Sequence, residues 1–370
     1  MRATFLSHKL RAAVFVAALF LFAIPASASA HSAQTSVVGG VPVSQERFDS
    51  EFPYQVGLLR KQNIDTFLCG GSLIAPQWVL TAAHCKDTLI DNVVPRFVVV
   101  GRADLTDETH GEVIPIIGTY QHPKWIYGLN NLKADLMLIK LARPSTQQTI
   151  PLAPSDWMPA EGALGTISGW GLRSQSRRDA EDIMRTAQLQ IRSLDSCRRS
   201  WKSQIPASMI CAGQASDPDK SVCNGDSGGP LVNDGLLVGI TSFTARRCRS
   251  NPFNVFTRVS SYSTYVAQFM QRQIAPTEWV RFLRKRGPQR VKTLRFRNPS
   301  AQSVQVNRIS VGSGPFRIVS NDCGAALLPD TGCSIRVKAL RSAGRFGSGS
   351  IRVASDSLAS PIFHIDLISY

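Results

Sequence analysis

The chain has 370 residues, a 43% hydrophobic composition, eight cysteines and a formal charge of +16. That length suits two or three domains with sizeable cores, and the ordinary globular composition, with a single apolar run near its start, excludes a membrane-spanning protein. The charge is uneven: from Pro276 to Tyr370 fifteen Lys and Arg face five Asp and Glu, so the basic character belongs mainly to the tail.

At the start, Arg2, Lys9 and Arg11 precede an apolar run from Ala12 to Ile24, followed by small residues from Ala26 to Ala30. This is the layout of a cleaved secretion signal over 1–30, cut after Ala28 or Ala30. The run is shorter than the ~20 residues that cross a bilayer. An exported, extracellular protein with no membrane span is expected. In an oxidising compartment cysteines pair, and no two here have Cys-x-x-Cys spacing, which argues against metal. Cys69, Cys85, Cys197, Cys211, Cys223, Cys248, Cys323 and Cys333 fall into sequential couples. Eight cysteines allow about a hundred connectivities, so the pairing stays open at this point.

The central region reads as short β-strands punctuated by Gly and Pro. Phe67–Ile74, Trp78–Thr81, Phe97–Val100, Leu136–Leu141 and Leu236–Phe243 are rich in branched and aromatic residues, which predicts an all-β barrel or sandwich. One helix is predicted, from Tyr262 to Ile274, with an apolar face from Tyr262, Tyr265, Val266, Phe269 and Ile274, ended by Pro276.

Three separated pieces carry chemistry. Thr81-Ala82-Ala83-His84-Cys85 offers an imidazole, Ala134-Asp135-Leu136 a carboxylate opening an apolar strand, and Gly225-Asp226-Ser227-Gly228-Gly229-Pro230 a hydroxyl among glycines. A serine hydroxyl is a poor nucleophile until an imidazole takes its proton, and the imidazole needs a buried carboxylate to fix its tautomer. Flanking glycines let the backbone expose the hydroxyl and aim amides at an oxyanion.

With these motifs, in the order His, Asp, Ser, the region from Val37 to about Arg272 resembles chymotrypsin/trypsin-type serine proteases. The resemblance implies two six-stranded β-barrels, His84 as general base and then acid, Asp135 as its orienting partner, Ser227 as nucleophile, and the amides of Gly225 and Ser227 as the oxyanion hole. Cys69-Gly70-Gly71-Ser72-Leu73-Ile74, Ser168-Gly169-Trp170-Gly171 and Ser242, which supports the carboxylate in the family, add to it. It implies the pairings Cys69–Cys85, Cys197–Cys211 and Cys223–Cys248, which leave Cys323–Cys333 outside the protease region.

Val37-Val38-Gly39-Gly40 resembles the family's activation site: a cut before Val37 frees an α-ammonium for Asp226, making 31–36 a propeptide. The specificity pocket implied by the resemblance has Ser221 where trypsin-like members carry Asp, Val222 on its floor, and Thr244 and Asn254 at positions that are glycine in members admitting large side chains. A narrowed, uncharged pocket resembles the elastase branch and suits Ala, Val, Ser or Thr before the cut; Ser36 fits. Some members bind calcium on the loop corresponding to Gly101–Glu112, but Arg102 stands where an acidic ligand would begin, so no metal and no cofactor is expected, and Asp104, Asp107, Glu108 and Glu112 read as a solvated loop.

A basic connector follows at 276–290, whose apolar members suit one helical turn. From Val291 the pattern alternates, as Leu294 and Phe296 with Arg295 and Arg297, then at Ile335 and Val337, Ile351 and Val353, and Phe363, Ile365 and Leu367. This predicts a small β-sandwich over 291–370. Phe296-Arg297-Asn298, Gly314-Pro315-Phe316, Asn321-Asp322-Cys323 and Leu328-Pro329 to Gly332-Cys333 resemble the immunoglobulin-like modules called choice-of-anchor D, which implies attachment and not chemistry. The domain plan is thus leader 1–30, propeptide 31–36, protease 37–275, basic linker 276–290 and immunoglobulin-like sandwich 291–370. Expected partners are protein or peptide substrates and, through the basic tail, an anionic cell-surface polymer; charge without aromatic stacking motifs argues against nucleic acid. A monomer is expected. The competing reading, an inactive protease-like scaffold used as an adhesive protein, would ordinarily have lost a member of the triad, and all three residues stand.

Overall fold

The computed structural model describes residues 37–370 apart from 87–92, 126–133, 173–181, 215, 247, 272–273, 277–280, 284–290, 341–345, 358–361 and 369–370. The leader and the segment 31–36 lie outside the described residues. After β1 (Val41–Pro42) and α1 (Gln45–Glu51), β2 (Gln55–Lys61), β3 (Asn63–Ala75), β4 (Trp78–Thr81), β5 (Phe97–Val100), β6 (Glu112–Gln121) and β7 (Met137–Leu141) close a barrel in the order β2-β3-β4-β7-β6-β5. These strands are rich in Val, Ile and Leu, which suit a pleated, buried surface. Val56, Leu58, Leu73, Leu80, Val98, Ile114 and Leu138 fill the barrel.

The second half repeats the plan. β8 (Leu164–Gly169), β9 (Arg185–Arg192), β10 (Met209–Ala212), β11 (Pro230–Asn233), β12 (Leu236–Phe243) and β13 (Asn254–Arg258) run β9-β10-β13-β12-β11-β8, and β8 pairs back onto β9 to close a second six-stranded barrel, with β1 added outside β9. Ile167, Leu189, Ile210, Val238 and Phe256 fill it. The two closed barrels are those of the chymotrypsin fold.

Helices depart from expectation. Besides α3 (Ser263–Gln271), two short ones appear: α1, with Ser44 as N-cap, and α2 (Leu194–Trp201), with Ser193 as N-cap and Lys202 in a left-handed C-cap. Each buries one side chain, Phe48 in α1 and Cys197 in α2. Two turns anchored by one residue leave no periodic stripe to detect. α3 is shorter than its predicted span because Ile274 turns into a separate core and Ala275 begins a strand. It nonetheless ties the halves together, as Phe269 packs edge-on against Trp78 at 6.0 Å.

The tail is built from β14 (Ala275–Pro276), β15 (Arg281–Leu283), β16 (Val291–Arg297), β17 (Val304–Ser313), β18 (Phe316–Asn321), β19 (Ala326–Leu327), β20 (Gly332–Ala339), β21 (Phe346–Ser355) and β22 (Ile362–Ile368). They form a four-stranded sheet, β14-β16-β20-β18, and a five-stranded one, β15-β22-β21-β17-β19. Both sheets contribute to one core: Leu294, Phe296, Ile335 and Val337 from the first, and Val304, Val306, Ile351 and Val353 from the second. The side chains of Phe363, Ile365 and Leu367 lie outside the described residues. The connector is not a helical turn where it is described. Its Arg281–Leu283 segment pairs in parallel with β22 and Ala275–Pro276 pairs with β16, because a sheet edge supplies the backbone partners that a single turn cannot.

The tail is also fastened to the first barrel. Lys140 Nζ on β7, almost fully buried, donates to Pro299 O at 2.8 Å and to Asp330 Oδ1 at 2.7 Å, and lies over the Trp78 ring. Arg297 donates to Ile117 O at 3.3 Å and to Asp330 O at 3.1 Å, while Asn298 Nδ2 bonds Gln302 O and Leu327 O to shape the adjoining loop. Removing one partner of a buried pair strands the other charge. With Asp330 45% exposed, solvent screens part of that effect. Asp330→Ala is expected to destabilise the protein by about 1–2 kcal/mol, and adding Lys140→Met should recover part of the loss. Thermal denaturation checks this; equal midpoints for wild type, single and double variants would show that the pair contributes nothing.

Candidate active site

His84 sits in a single 3-10 turn, Ala83–Cys85, pinned to β3 by the Cys69–Cys85 bridge. Its Nδ1 lies 2.8 Å from Asp135 Oδ2, and its backbone N–H donates to Asp135 Oδ1 at 3.0 Å. Asp135 precedes β7 in a tight bend with Ala134 at φ 60° and the Leu136 amide returning to Ala134 O. Ser242 Oγ donates to the same Oδ2 at 2.6 Å, and Thr257 Oγ1 holds Asp135 O at 2.8 Å. The carboxylate is 2% exposed.

The electrostatics follow from this geometry. Burial pushes the Asp135 carboxyl up, but the His84 charge and the hydrogen bonds from His84 and Ser242 outweigh it and hold Asp135 below its ordinary value. Burial pulls His84 down, and the facing Asp135 charge and hydrogen bond outweigh that and raise it. With Nδ1–H committed to Asp135, Nε2 is left as the accepting nitrogen. The imidazole is 28% exposed, so its outer edge is reachable.

Ser227 is carried by a loop of forced conformation. Gly225 has φ 97° and Gly228 φ 76°; a Cβ on Gly225 would lie 2.9 Å from Gly171 Cα, and one on Gly228 would lie 2.1 Å from Thr81 Oγ1 and 3.0 Å from Ala82 N. Gly228 therefore abuts the residues that lead into His84. Gly70 N–H donates to Ser227 O at 2.8 Å, and Gly228 N–H donates to Thr241 O, beside Ser242. One strand from each barrel thus clamps the loop, which sets Ser227 beside the segment that leads into His84. Among the described residues neither the Gly225 nor the Ser227 amide donates to a backbone carbonyl.

Asp226 is 1% exposed and accepts from Gly171 N at 3.0 Å and Cys223 N at 2.8 Å. Burial drives its carboxyl up to about 7, against the opposing pull of those two amides. Gly169 and Gly171 make room for it, since a Cβ on either would lie within 2.7 Å of a carboxylate oxygen. Val37 is wholly buried in the second barrel's core, and Val38 bridges to Ser221, whose amide donates to Val38 O at 3.0 Å.

The predicted pocket residues meet. Ser221 Oγ and Thr244 Oγ1 lie 2.7 Å and 2.6 Å from Asn254 Oδ1 and 3.3 Å from each other. Ser221 and Asn254 are fully buried and Val222 nearly so. The three polar side chains form a bridge rather than projecting as separate walls. Among the described residues Asn254 Nδ2 has no partner; exchanging the amide's O and N ends would leave the other end unpaired instead. All four bridges are present, Cys69–Cys85, Cys197–Cys211, Cys223–Cys248 and Cys323–Cys333.

The loop over Gly101–Glu112 is organised by Arg102, which is nearly buried and donates to His110 O at 2.7 Å and Leu105 O at 3.2 Å. Its guanidinium gathers loop carbonyls, as an internal cation would. Glu112 is not simply solvated, contrary to expectation: it accepts from Thr146 N and Ser145 Oγ and pairs with Arg143. Other contributions had no signal in the sequence. Thr257 reaches the Asp135 backbone carbonyl across 122 residues and the Gly171 amide the Asp226 carboxylate across 55, and only the tertiary fold makes them neighbours.

Residues 37–266 match the family described as Trypsin. Human Kallikrein-8 is 33% identical over 226 residues, covering 59% of this chain and 82% of its own. Among solved structures, the VesB protease of Vibrio cholerae superposes with a TM-score of 0.73 at 21% identity, covering 90% of this chain and 99% of its own. The secreted serine protease VesC of the same organism gives 0.70 at 20% identity, over 90% of this chain and 71% of its own. At those identities the likeness is one of fold, and it extends beyond the segment matched by the family.

Proposed function

Since this chain belongs to the trypsin family of serine proteases, we propose that it is a secreted endopeptidase, made as a zymogen, that cleaves after small uncharged side chains. The observation that carries the chemistry is the ordered line Ser242–Asp135–His84 beside the clamped Ser227 loop. In this reading Asp135 fixes the imidazole tautomer, and His84 Nε2 takes the Ser227 proton as Oγ attacks the scissile carbonyl. The amides of Gly225 and Ser227 receive the oxyanion, and His84 returns the proton to the leaving amine. Water then repeats the cycle on the acyl-enzyme.

The reading of specificity rests on the Ser221–Asn254–Thr244 bridge. It brings hydroxyls and an amide where a long side chain would have to pass, and it offers no carboxylate to a Lys or Arg. A peptide library is expected to show cleavage after Ala, Val, Ser and Thr. Thr244→Gly combined with Asn254→Gly should raise kcat/KM for Leu or Phe at that position by at least tenfold, since each methylene of pocket room is worth roughly 10–200-fold in discrimination. A wild-type preference for Lys or Arg would overturn the assignment.

Export is supported by the leader sequence and by four disulfides, and among the described residues no helix is long and apolar enough to cross a membrane. The domain plan places the protease in 37–275 and an immunoglobulin-like attachment module in 291–370, acting as a monomer. The second module's separate core and the fold-level likeness to VesB over 90% of the chain support that division.

A further inference from the structure

The four-stranded sheet of the tail has two different faces. Inward, Leu294, Phe296, Phe316, Ile335 and Val337 enter the core. Outward, the register puts Arg317 directly opposite Lys338, and Arg336 two residues further along β20. Thr293 stands opposite Arg336, which sets Arg295 on the diagonal from it. Side chains directly opposite in a sheet lie roughly 5 Å apart at Cβ, and those two residues along or on the diagonal about 7 Å. Arg317 and Arg336 are exposed and Lys338 half-buried. Among the described residues none of these three takes part in an ion pair or a side-chain hydrogen bond. The neighbouring carboxylate, Asp322, sits at the Arg295 end and accepts from the Ser334 amide and hydroxyl.

Stability does not account for this row, because like charges directly opposite one another in a sheet are unfavourable. Protection of a sheet edge would account for Arg317 on β18, the outermost strand. It does not account for Arg336 and Lys338, since β20 is hydrogen-bonded on both sides, by β16 and β18. The face carries cations at intervals of roughly 5–7 Å, which a flexible polyanion can follow. Among the described residues it shows no aromatic platform for bases, as Phe296 and Phe316 both belong to the core.

Resting on the reading of the tail as an attachment module, we propose that the outward face of β16, β20 and β18, centred on Arg317, Arg336 and Lys338, binds an anionic polysaccharide. Each of these cations neutralises a sulfate or carboxylate along the polymer, so the attachment is electrostatic, weakens with salt and leaves the peptidase site open.

The test uses the full processed protein, with heparin and dextran sulfate as probes and duplex and single-stranded DNA as competitors, at physiological salt. Arg317→Ser, Arg336→Ser and Lys338→Ser together should weaken heparin binding about a hundredfold, at roughly tenfold or less per exposed cation facing an anionic surface. The charge-matched control Arg60→Ser, Lys61→Ser and Lys202→Ser should change it less than threefold. Both variants should keep the wild-type melting temperature and rate on a short peptide substrate. If the two triple variants lose binding equally, net charge and not this face is responsible, and the site is wrong although the protein binds the polymer. If the wild type does not bind either polysaccharide, the attachment reading itself fails. Tighter binding of DNA than of both polysaccharides, lost in the first variant alone, would overturn the choice of ligand.

Discussion

Replacing Ser227 with alanine is expected to lower kcat by about 10⁶-fold while leaving KM near its wild-type value. The hydroxyl is the only group in the Gly225–Pro230 loop that can form the acyl bond, whereas the substrate-binding groups stay in place. His84→Ala should lose a similar factor, and the double variant little more, because nucleophile and base act as one unit. Asp135→Asn should cost about 10⁴-fold by releasing the imidazole into the wrong tautomer. The pH profile supplies an independent readout. His84 must be neutral to accept a proton, and its partner Asp135 raises its pKa. Activity therefore falls as pH drops through that raised value, placing the acid limb above the ordinary histidine value of about 6.5. In Asp135→Asn the limb should move to lower pH. Hydrolysis or fluorophosphonate labelling that persisted in Ser227→Ala would remove the serine from the mechanism.

The second large effect concerns the cut before Val37. Protein beginning at His31 is expected to be nearly inactive, and the active form to begin Val-Val-Gly-Gly, with a gain of at least 10²–10³-fold, the value of a single oxyanion-hole donor. The reason lies at Asp226. In the uncut chain this carboxyl is buried against two amides, and burial lifts it to about 7. A freed α-ammonium would supply the missing cation and hold the adjoining Gly225–Ser227 amides in place. Because the folded value lies above the unfolded one, the contribution of Asp226 to the stability of the uncut chain is fully present below the ordinary carboxyl value and is lost as pH rises towards 7. Asp226→Asn should consequently raise the melting temperature of the uncut chain at neutral pH, by a few kcal/mol of stability, and yet leave the cut enzyme poorly active. Opposite signs in the two assays are the distinctive result. An Asp226→Asn enzyme that activates normally would exclude this switch.

Much of the site could be read from the chain because its chemistry is local in sequence. Gly225 and Gly228 must be glycine to reach φ 97° and 76° with no room for a Cβ. His84 lies beside the cysteine that anchors its turn, and Asp135 opens a mostly apolar strand. The strands were legible for the same reason, since alternating or continuous apolar runs are what a pleated, buried strand requires, while their closing into two barrels was implied only by the family resemblance. The two short helices were not, because one buried residue in two turns makes no period.

What short motifs could not contain is the set of partners that arrive from elsewhere in the chain. Ser221, Thr244 and Asn254 could each be named as a pocket position, but that they share hydrogen bonds follows from the pairing of β12 with β13, which sets Thr244 beside Asn254, and from the loop that carries Ser221 to them. Lys140 is one polar residue within an apolar strand, and its burial makes sense only with Pro299 and Asp330 set against it. Asp226 read as the partner of a future terminus, while its carboxyl near 7 in the uncut chain comes from the desolvation that closing the second barrel imposes. Backbone conformation and strand period are written into neighbouring residues; burial and long-range pairing exist only once distant segments have excluded water together.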